Sequence, residues 1–263
     1  PQPGPPLFID AKEFVERTLI MLRDHVARGA RGLKALKELG LQYRDGAGRL
    51  IFCDDERLRP IWEEAGKLGV PVLIHQADPI GFFQPVTPEN EHFDTLQKYP
   101  AWGFSDSTFP RFEEVQRHYK QLIQNHPRTT FLLPHMANWP ENLDYVGQFL
   151  DDCPNAFIDF SARIDELGRQ PYRTREFFIR HQDRIFFGTD MPASRGMYRF
   201  HFRFLETFDE HFMPPDYDGT FGRYRWHVHG IGLPPEVLKK IYHENALKLI
   251  PGLRADWNKI IRS

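Results

Sequence analysis

The chain has 263 residues, 41% of them hydrophobic, which is enough apolar material to bury one sizeable core, and a single domain over residues 1–263 is expected. Lysine plus arginine number 34 and aspartate plus glutamate 36, so the formal charge is 34 − 36 = −2, which argues against an electrostatic grip on nucleic acid or on an anionic membrane. No apolar run approaches the ~20 residues of a membrane span. The two cysteines, Cys53 and Cys153, lie far apart, form no C-x-x-C and fit a reducing compartment such as the cytoplasm. The sequence opens on Pro1 rather than Met, so it reads as a piece of a longer product whose signal segment, if it has one, would lie upstream.

Asp10-Ala-Lys-Glu13 has the spacing of a capping box, and Val15, Leu19, Leu22 and Val26 then share one helical face until Gly29 closes it. Gly32 to Leu36 follows as a strand, and Tyr43 to Arg49, with Gly46 and Gly48, as a turn-rich excursion. A phosphate-cradling loop would need a third glycine and a helix opening from a strand, and neither is present there. Asp54 or Asp55 starts a second helix carrying Leu58, Ile61, Trp62, Ala65 and Leu68, which Gly69 ends before the strand Val70 to His75. Gln76 to Thr108, rich in Pro, Phe and Asn, is too long for a plain connection and is assigned to the mouth of a site. Pro110 opens a helix with Phe112, Val115, Tyr119, Leu122 and Ile123 inward, and Thr129 to His135 is the next strand.

A helix with Pro140, Leu143, Val146 and Leu150, a strand Asn155 to Phe160, a helix near Arg173 to His181 and a strand from Arg184 to Asp190 continue the alternation. Met197 to Tyr224 reads as an aromatic segment, and Pro234-Pro235-Glu236 begins a C-terminal helix with Leu238, Ile241, Tyr242 and Leu249 inward. Strands centred at Leu33, Leu73, Leu132, Ile158 and Phe186, each feeding a helix, place the chain in the α/β class, as an open doubly wound sheet or a closed barrel. Successive strands end in polar groups, which favours the (β/α)8 TIM barrel, whose loops all face one mouth. Closure needs eight strands, so the barrel is expected to be incomplete here, with about five βα units and a C-terminal helix and roughly three units upstream. The parallel edge this leaves would recruit a partner, a homo-oligomer included.

Three strand ends offer His75, His135 and Asp190, a vocabulary suited to a divalent metal. Plainer roles stand beside that one: core or capping histidines, and an Asx turn or helix cap for Asp190. His135 could ligate the ion or donate a hydrogen bond to a developing oxyanion. Arg163, just past the fourth strand, has the planar fork that suits a substrate carboxylate, or it forms a rim ion pair with Asp165 or Glu166. Lys34 ends its strand and is a candidate for the mouth, with Lys37 on the turn beyond. Phe82, Phe83, Trp102 and Phe104 either wall an apolar pocket or pack among themselves.

Taken together, Gly69 to His75, Pro127 to His135, Asn155 to Ser161, Arg184 to Pro192 and Leu238 to Ala246 resemble the amidohydrolase-related metal-dependent hydrolases, whose members include aminocarboxymuconate-semialdehyde decarboxylase-like enzymes. The resemblance implies a (β/α)8 barrel in which a His-x-His pair on the first strand, a His on the fifth, often a His on the sixth and an Asp on the eighth surround a divalent metal. By order His75 matches the fifth-strand position, His135 the sixth and Asp190 the eighth. In decarboxylase-type members the sixth-strand His is catalytic, and His135 is given that role, with His75 and Asp190 as metal ligands and Asp190 also moving the proton of an activated water. The first-strand pair is absent from the start of the chain. The one such spacing, His227-Val-His229, follows the Asp190 strand and is read as a rim segment without a metal assignment. The expected function is a hydrolase with one divalent ion, zinc, acting on a small carboxylated or cyclic molecule. The alternatives are a metal-dependent carboxy-lyase on the same scaffold and a non-catalytic truncated product.

Overall fold

A computed structural model of the protein describes residues 7–213 and 226–261. A short strand β1 (Leu7–Phe8) leads into helix α1 (Ala11–Ala27), which starts where the Asp10 carboxylate accepts the amides of Lys12 at 2.8 Å and Glu13 at 3.0 Å. Glu13 turns to Arg17 instead of back to Asp10, so the cap is one-sided. Gly29, at φ +104°, supplies the left-handed residue that stops the helix. Strand β2 (Leu33–Ala35) follows, and the excursion after it contains β3 (Tyr43–Arg44), which pairs with β1 in parallel. Asp45 pins the turn beyond β3 by accepting the amides of Ala47 and Arg49.

Asp55 caps the next helical segment, and α2 (Arg59–Lys67) buries Ile61, Trp62 and Ala65 before β4 (Val72–Ile74). Helix α3 (Phe112–Asn125) turns Phe112, Val115, Tyr119, Leu122 and Ile123 inward and leads to β5 (Phe131–Leu133). Asn142 caps α4 (Leu143–Asp152), which precedes β6 (Ala156–Asp159), and α5 (Pro171–Arg180) precedes β7 (Ile185–Phe186). Strands β2, β4, β5, β6 and β7 form one sheet in that order, every pair parallel. Consecutive parallel pairing through helices is the unit from which a (β/α)8 barrel is made. This chain supplies five such strands, and among the described residues β2 and β7 are the unpaired rims of the arc. Val72, Ile74, Phe131, Leu133, Ala156, Ile158 and Ile185 are fully buried, whereas Leu73, Leu132 and Phe157, which alternate with them and point to the opposite face, are half-buried. Cys53 and Cys153 are buried and unbridged.

The sequence pattern needs revising in four places. Residues 76–111 are not a plain loop: a 3₁₀ turn (Ile80–Phe83) and a short helix (Phe93–Lys98) pack on a core of their own, with Phe82, Leu96 and Phe104 against Leu41, Phe112 and Val115. The aromatic segment begins with a helix, α6 (Arg195–Glu206), capped by Ser194 and burying Met197, Phe200, His201, Phe204 and Leu205; its remainder, from 214 to Tyr224, lies outside the described residues. The C-terminal helix runs as α7 (Pro235–Lys239), a π-helical turn (Lys240–Glu244) and α8 (Asn245–Leu249). The wider turn frees the Ile241 carbonyl to accept the Phe187 amide at 3.0 Å, which ties this helix to the end of β7 and makes Leu247 the buried residue where Leu249 was expected. A last helix, α9 (Leu253–Ile260), has no counterpart in the sequence reading. No helix among the described residues is long and apolar enough to cross a membrane.

Candidate active site

The C-terminal ends of the strands open on one cavity of about 320 Å³, and His75, His135, Arg163 and Asp190 all line it. They arrive there from four different strand ends, beyond β4, β5, β6 and β7. Lys37, Asp78, Phe82 and Trp102 share the lining. Of the two lysines, Lys34 stands exposed on β2, because a strand turns alternate side chains to opposite faces, while Lys37 on the following turn reaches the mouth and pairs with Asp78. Phe82 and Trp102 wall the cavity; Phe83 and Phe104 instead stack on each other in the neighbouring core.

The hydrogen bonds of the two histidines settle which ring nitrogen faces the cavity chemistry. Nε2 of His75 lies 2.7 Å from the Ala77 carbonyl, which can only accept, so Nε2 carries a proton, and in a neutral ring Nδ1 is the nitrogen with the lone pair. Asp78 lies 3.7 Å from the same Nε2. Burial opposes the charge of Asp78, but His75 and the Lys37 ammonium outweigh it and hold the carboxylate well below its usual range. Nδ1 of His135 lies 2.7 Å from the Ser161 carbonyl, which makes Nδ1 the donor and Nε2 the lone pair. Burial, with help from Arg163 and His75, keeps His135 well below the ordinary imidazole range, so the ring is neutral. In this tautomer Nε2 is an acceptor, and the oxyanion-donor role expected of His135 would need a proton there.

His135 is held by an unusual backbone. His135, Met136, Ala137 and Asn138 take φ of 59°, 57°, 52° and 65°, four successive non-glycine residues in the left-handed region. Each costs roughly 1–2 kcal/mol, so the surroundings must fix the turn. Asp159, buried at the end of β6, does much of this: its Oδ1 accepts the His135 amide at 3.1 Å, the Ser161 amide at 2.9 Å and the Ser161 hydroxyl at 2.5 Å. Gln116 adds a bond to the Ala137 carbonyl at 3.0 Å. Asp159 thus joins the two loops that carry His135 and Arg163. Only its place at a strand end marked it in the sequence.

Asp190, at φ 56°, follows β7 and brings Oδ2 to 3.9 Å from Nε2 of His135. Its side chain is 55% exposed and makes no hydrogen bond among the described residues, so it is free to turn. Arg163 is buried, bonds the Ala162 carbonyl through Nη1 and leaves Nε unpartnered. Among the described residues no carboxylate stands within ion-pair distance of it, which removes the rim-pair alternative. Two imidazole lone pairs and a mobile carboxylate are donors of the kind a divalent first-row ion takes, so the side chains fit such an ion. They sit more openly than a closed metal centre would. The His227-Val-His229 segment lies apart: His229 lines a different cavity with Arg169 and Phe208, His227 stacks on His211, and Val228 bridges to Phe212.

Comparison with known proteins agrees with this architecture. The chain is 26% identical over 171 residues to gamma-resorcylate decarboxylase of Rhizobium sp. (strain MTP-10005), an alignment covering 57% of this chain and 48% of that protein, so the chain spans about half the length of the curated relatives it matches. Its fold is similar to that of a 2,6-dihydroxybenzoate decarboxylase solved with 2,6-dihydroxybenzoate (TM-score 0.51, 19% identity, 88% of this chain and 65% of that one). It is also similar to a dihydroxybenzoic acid decarboxylase from Polaromonas sp. JS666 solved with bound manganese and 2-nitroresorcinol (TM-score 0.50, 17% identity, 95% and 79%). A family model described as Amidohydrolase matches residues 6–252, and the chain, with its parallel arc of strands and its cavity at their C-terminal ends, belongs to the amidohydrolase family.

Proposed function

We propose that the cavity is the catalytic centre of a metal-dependent carboxy-lyase that removes carbon dioxide from a small hydroxylated aromatic acid. The observation that carries this reading is the likeness to a decarboxylase over 57% of the chain. Of the two chemistries expected from the sequence, hydrolysis is the less well supported, since a neutral His135 with a bare Nε2 has no proton with which to steady an oxyanion. His75 through Nδ1 and Asp190 through its carboxylate would hold a zinc or manganese ion, and the ion when bound would polarise the oxygens of the acid.

The other groups then have defined work. The Arg163 fork, with Nε open, faces the substrate carboxylate, and Phe82 and Trp102 flank the ring. Nε2 of His135 takes the proton of the ring hydroxyl, which raises electron density on the carbon bearing the carboxylate. Asp190, after taking up a proton from the water it half faces, passes it to that carbon. The C–C bond breaks, its electron pair returns to the ring as carbon dioxide departs, and His135 gives the proton back to the hydroxyl. Asp190 is recharged from water, to which it is half open. One proton enters the product for each carbon dioxide released.

The test is direct. Supplied with 2,6-dihydroxybenzoate and zinc or manganese, the purified protein should release carbon dioxide in step with loss of the acid. Opening of a lactone or amide without carbon dioxide would identify a hydrolase. Neither reaction, with no metal retained, would leave the non-catalytic reading.

A further inference from the structure

In the wall of the same cavity, His92 and Glu166 face a group of carboxylates that the chemistry above leaves unused. We infer that Glu91, His92 and Glu141, with Glu166 beside them, form a second divalent-cation site, distinct from the donors at His75 and Asp190. One donor atom from each of Glu91, His92 and Glu141 lies within 4.8 Å of the others, the one such group among the described residues. Nε2 of His92 stands 3.6 Å from Glu91 Oε1 and 3.8 Å from Glu166 Oε1, too far for hydrogen bonds. Around a bound ion at ~2.0–2.2 Å from each donor, neighbouring donors lie roughly 3–3.6 Å apart, so small side-chain shifts close the group.

The second observation is independent of proximity. His92 is 5% exposed and Glu166 3%, and Nε2 of His92, Oε2 of Glu166 and both carboxylate oxygens of Glu141 are buried without a hydrogen-bond partner. Buried polar atoms are rarely left bare, and three neighbouring side chains, His92, Glu141 and Glu166, carry such atoms here, where a cation would satisfy them. The arrangement is built rather than incidental. Asn90 accepts the His92 amide at 2.9 Å and donates to the Gly81 and Pro85 carbonyls, which fixes the loop. A Cβ at Gly81 would come within 2.7 Å of the His92 ring, so only glycine leaves room for this imidazole.

Charge points the same way. Arg169 binds Glu91 through Oε2 and leaves Oε1, the oxygen that faces His92, free. One imidazole among several carboxylates is a donor set for zinc or manganese rather than for a soft, thiolate-seeking ion.

The proposal is tested by metal content, apart from turnover. In a His75→Ala/Asp190→Ala background, equilibrium dialysis against zinc or manganese followed by elemental analysis should find one ion retained per chain. Adding His92→Ala and Glu141→Gln should weaken retention by at least about 10-fold, the scale of losing even a supporting partner of a metal site. Manganese resonance spectra of the background variant should likewise change from the free aqua ion to a bound form. Should the combined variant fail to fold, Glu141→Gln alone, nearly isosteric, is expected to weaken retention to the same extent. A background variant that retains no ion, or one whose retention ignores His92 and Glu141, overturns the site. Either result leaves the carboxy-lyase reading standing, and a failure to release carbon dioxide would not touch this site.

Discussion

Replacing Asp159 separates its positioning role from its charge. Its single Oδ1 satisfies three donors, the His135 and Ser161 amides and the Ser161 hydroxyl, all on buried residues. Asp159→Ala orphans all three, and at about 1–3 kcal/mol per buried unsatisfied donor the gross loss is roughly 3–9 kcal/mol. Burial raises the Asp159 carboxyl above its ordinary range, so removing it relieves part of this, and a net loss of about 3–5 kcal/mol is expected. Asp159→Asn keeps an acceptor oxygen in place and should cost about 1 kcal/mol. Urea unfolding of the two variants at neutral pH measures the difference. In turnover the alanine variant should lose kcat with His135 no longer held, while the asparagine variant keeps most of it. Equal stability of the two variants would refute the argument, because it would mean that the three donors do not depend on that oxygen.

Asp190→Asn should abolish carbon dioxide release while changing KM little, since the amide keeps the shape of the acid but has no proton to deliver; an undiminished kcat would remove Asp190 from the proton step. Arg163→Lys should raise KM by about 10- to 100-fold for a carboxylated substrate, the scale of a charge-assisted bidentate contact, and leave the binding of a decarboxylated analogue unchanged. Asn245→Leu should cost about 3 kcal/mol in urea unfolding, since the Asn245 amide bonds the Gln182 and Ile185 carbonyls at 2.8 and 2.7 Å and thereby docks the C-terminal helix on β7. Burial lowers the His201 pKa, so the unfolded chain takes up that proton first; the resulting stability is present above about pH 6.5 and is lost as pH falls through the folded value. His201→Phe, among Phe160 and Phe187, should therefore flatten the acid limb of the stability profile, and an unchanged slope would show that this ring does not set it.

The strands were legible because each is a short, mostly apolar run that glycine or proline punctuates. Leu33, Leu73, Leu132, Ile158 and Phe186 all fall inside strands of the sheet. The cavity residues were legible for a related reason: in consecutive βα units every strand points the same way, so His75, His135 and Asp190 had to emerge on one side. Helix α6 was equally readable, since Met197, Phe200, His201, Phe204 and Leu205 repeat at helical spacing, but the density of aromatic residues obscured the period. The tautomer of His135 was not readable, because it is set by a carbonyl 26 residues further along. His92 was hidden more deeply. Nothing local distinguishes it, and Glu141 meets it only after one further strand has been laid down and Glu166 only after two.

The run of left-handed residues from His135 to Asn138 also bears on how this protein can be engineered. A glycine at position 137 would adopt the observed φ of 52° without strain and should raise the melting temperature. It would also loosen the hinge that aims the imidazole. A thermostability screen blind to turnover would therefore favour the substitution that detunes the enzyme, so candidates at this turn should be ranked by activity first.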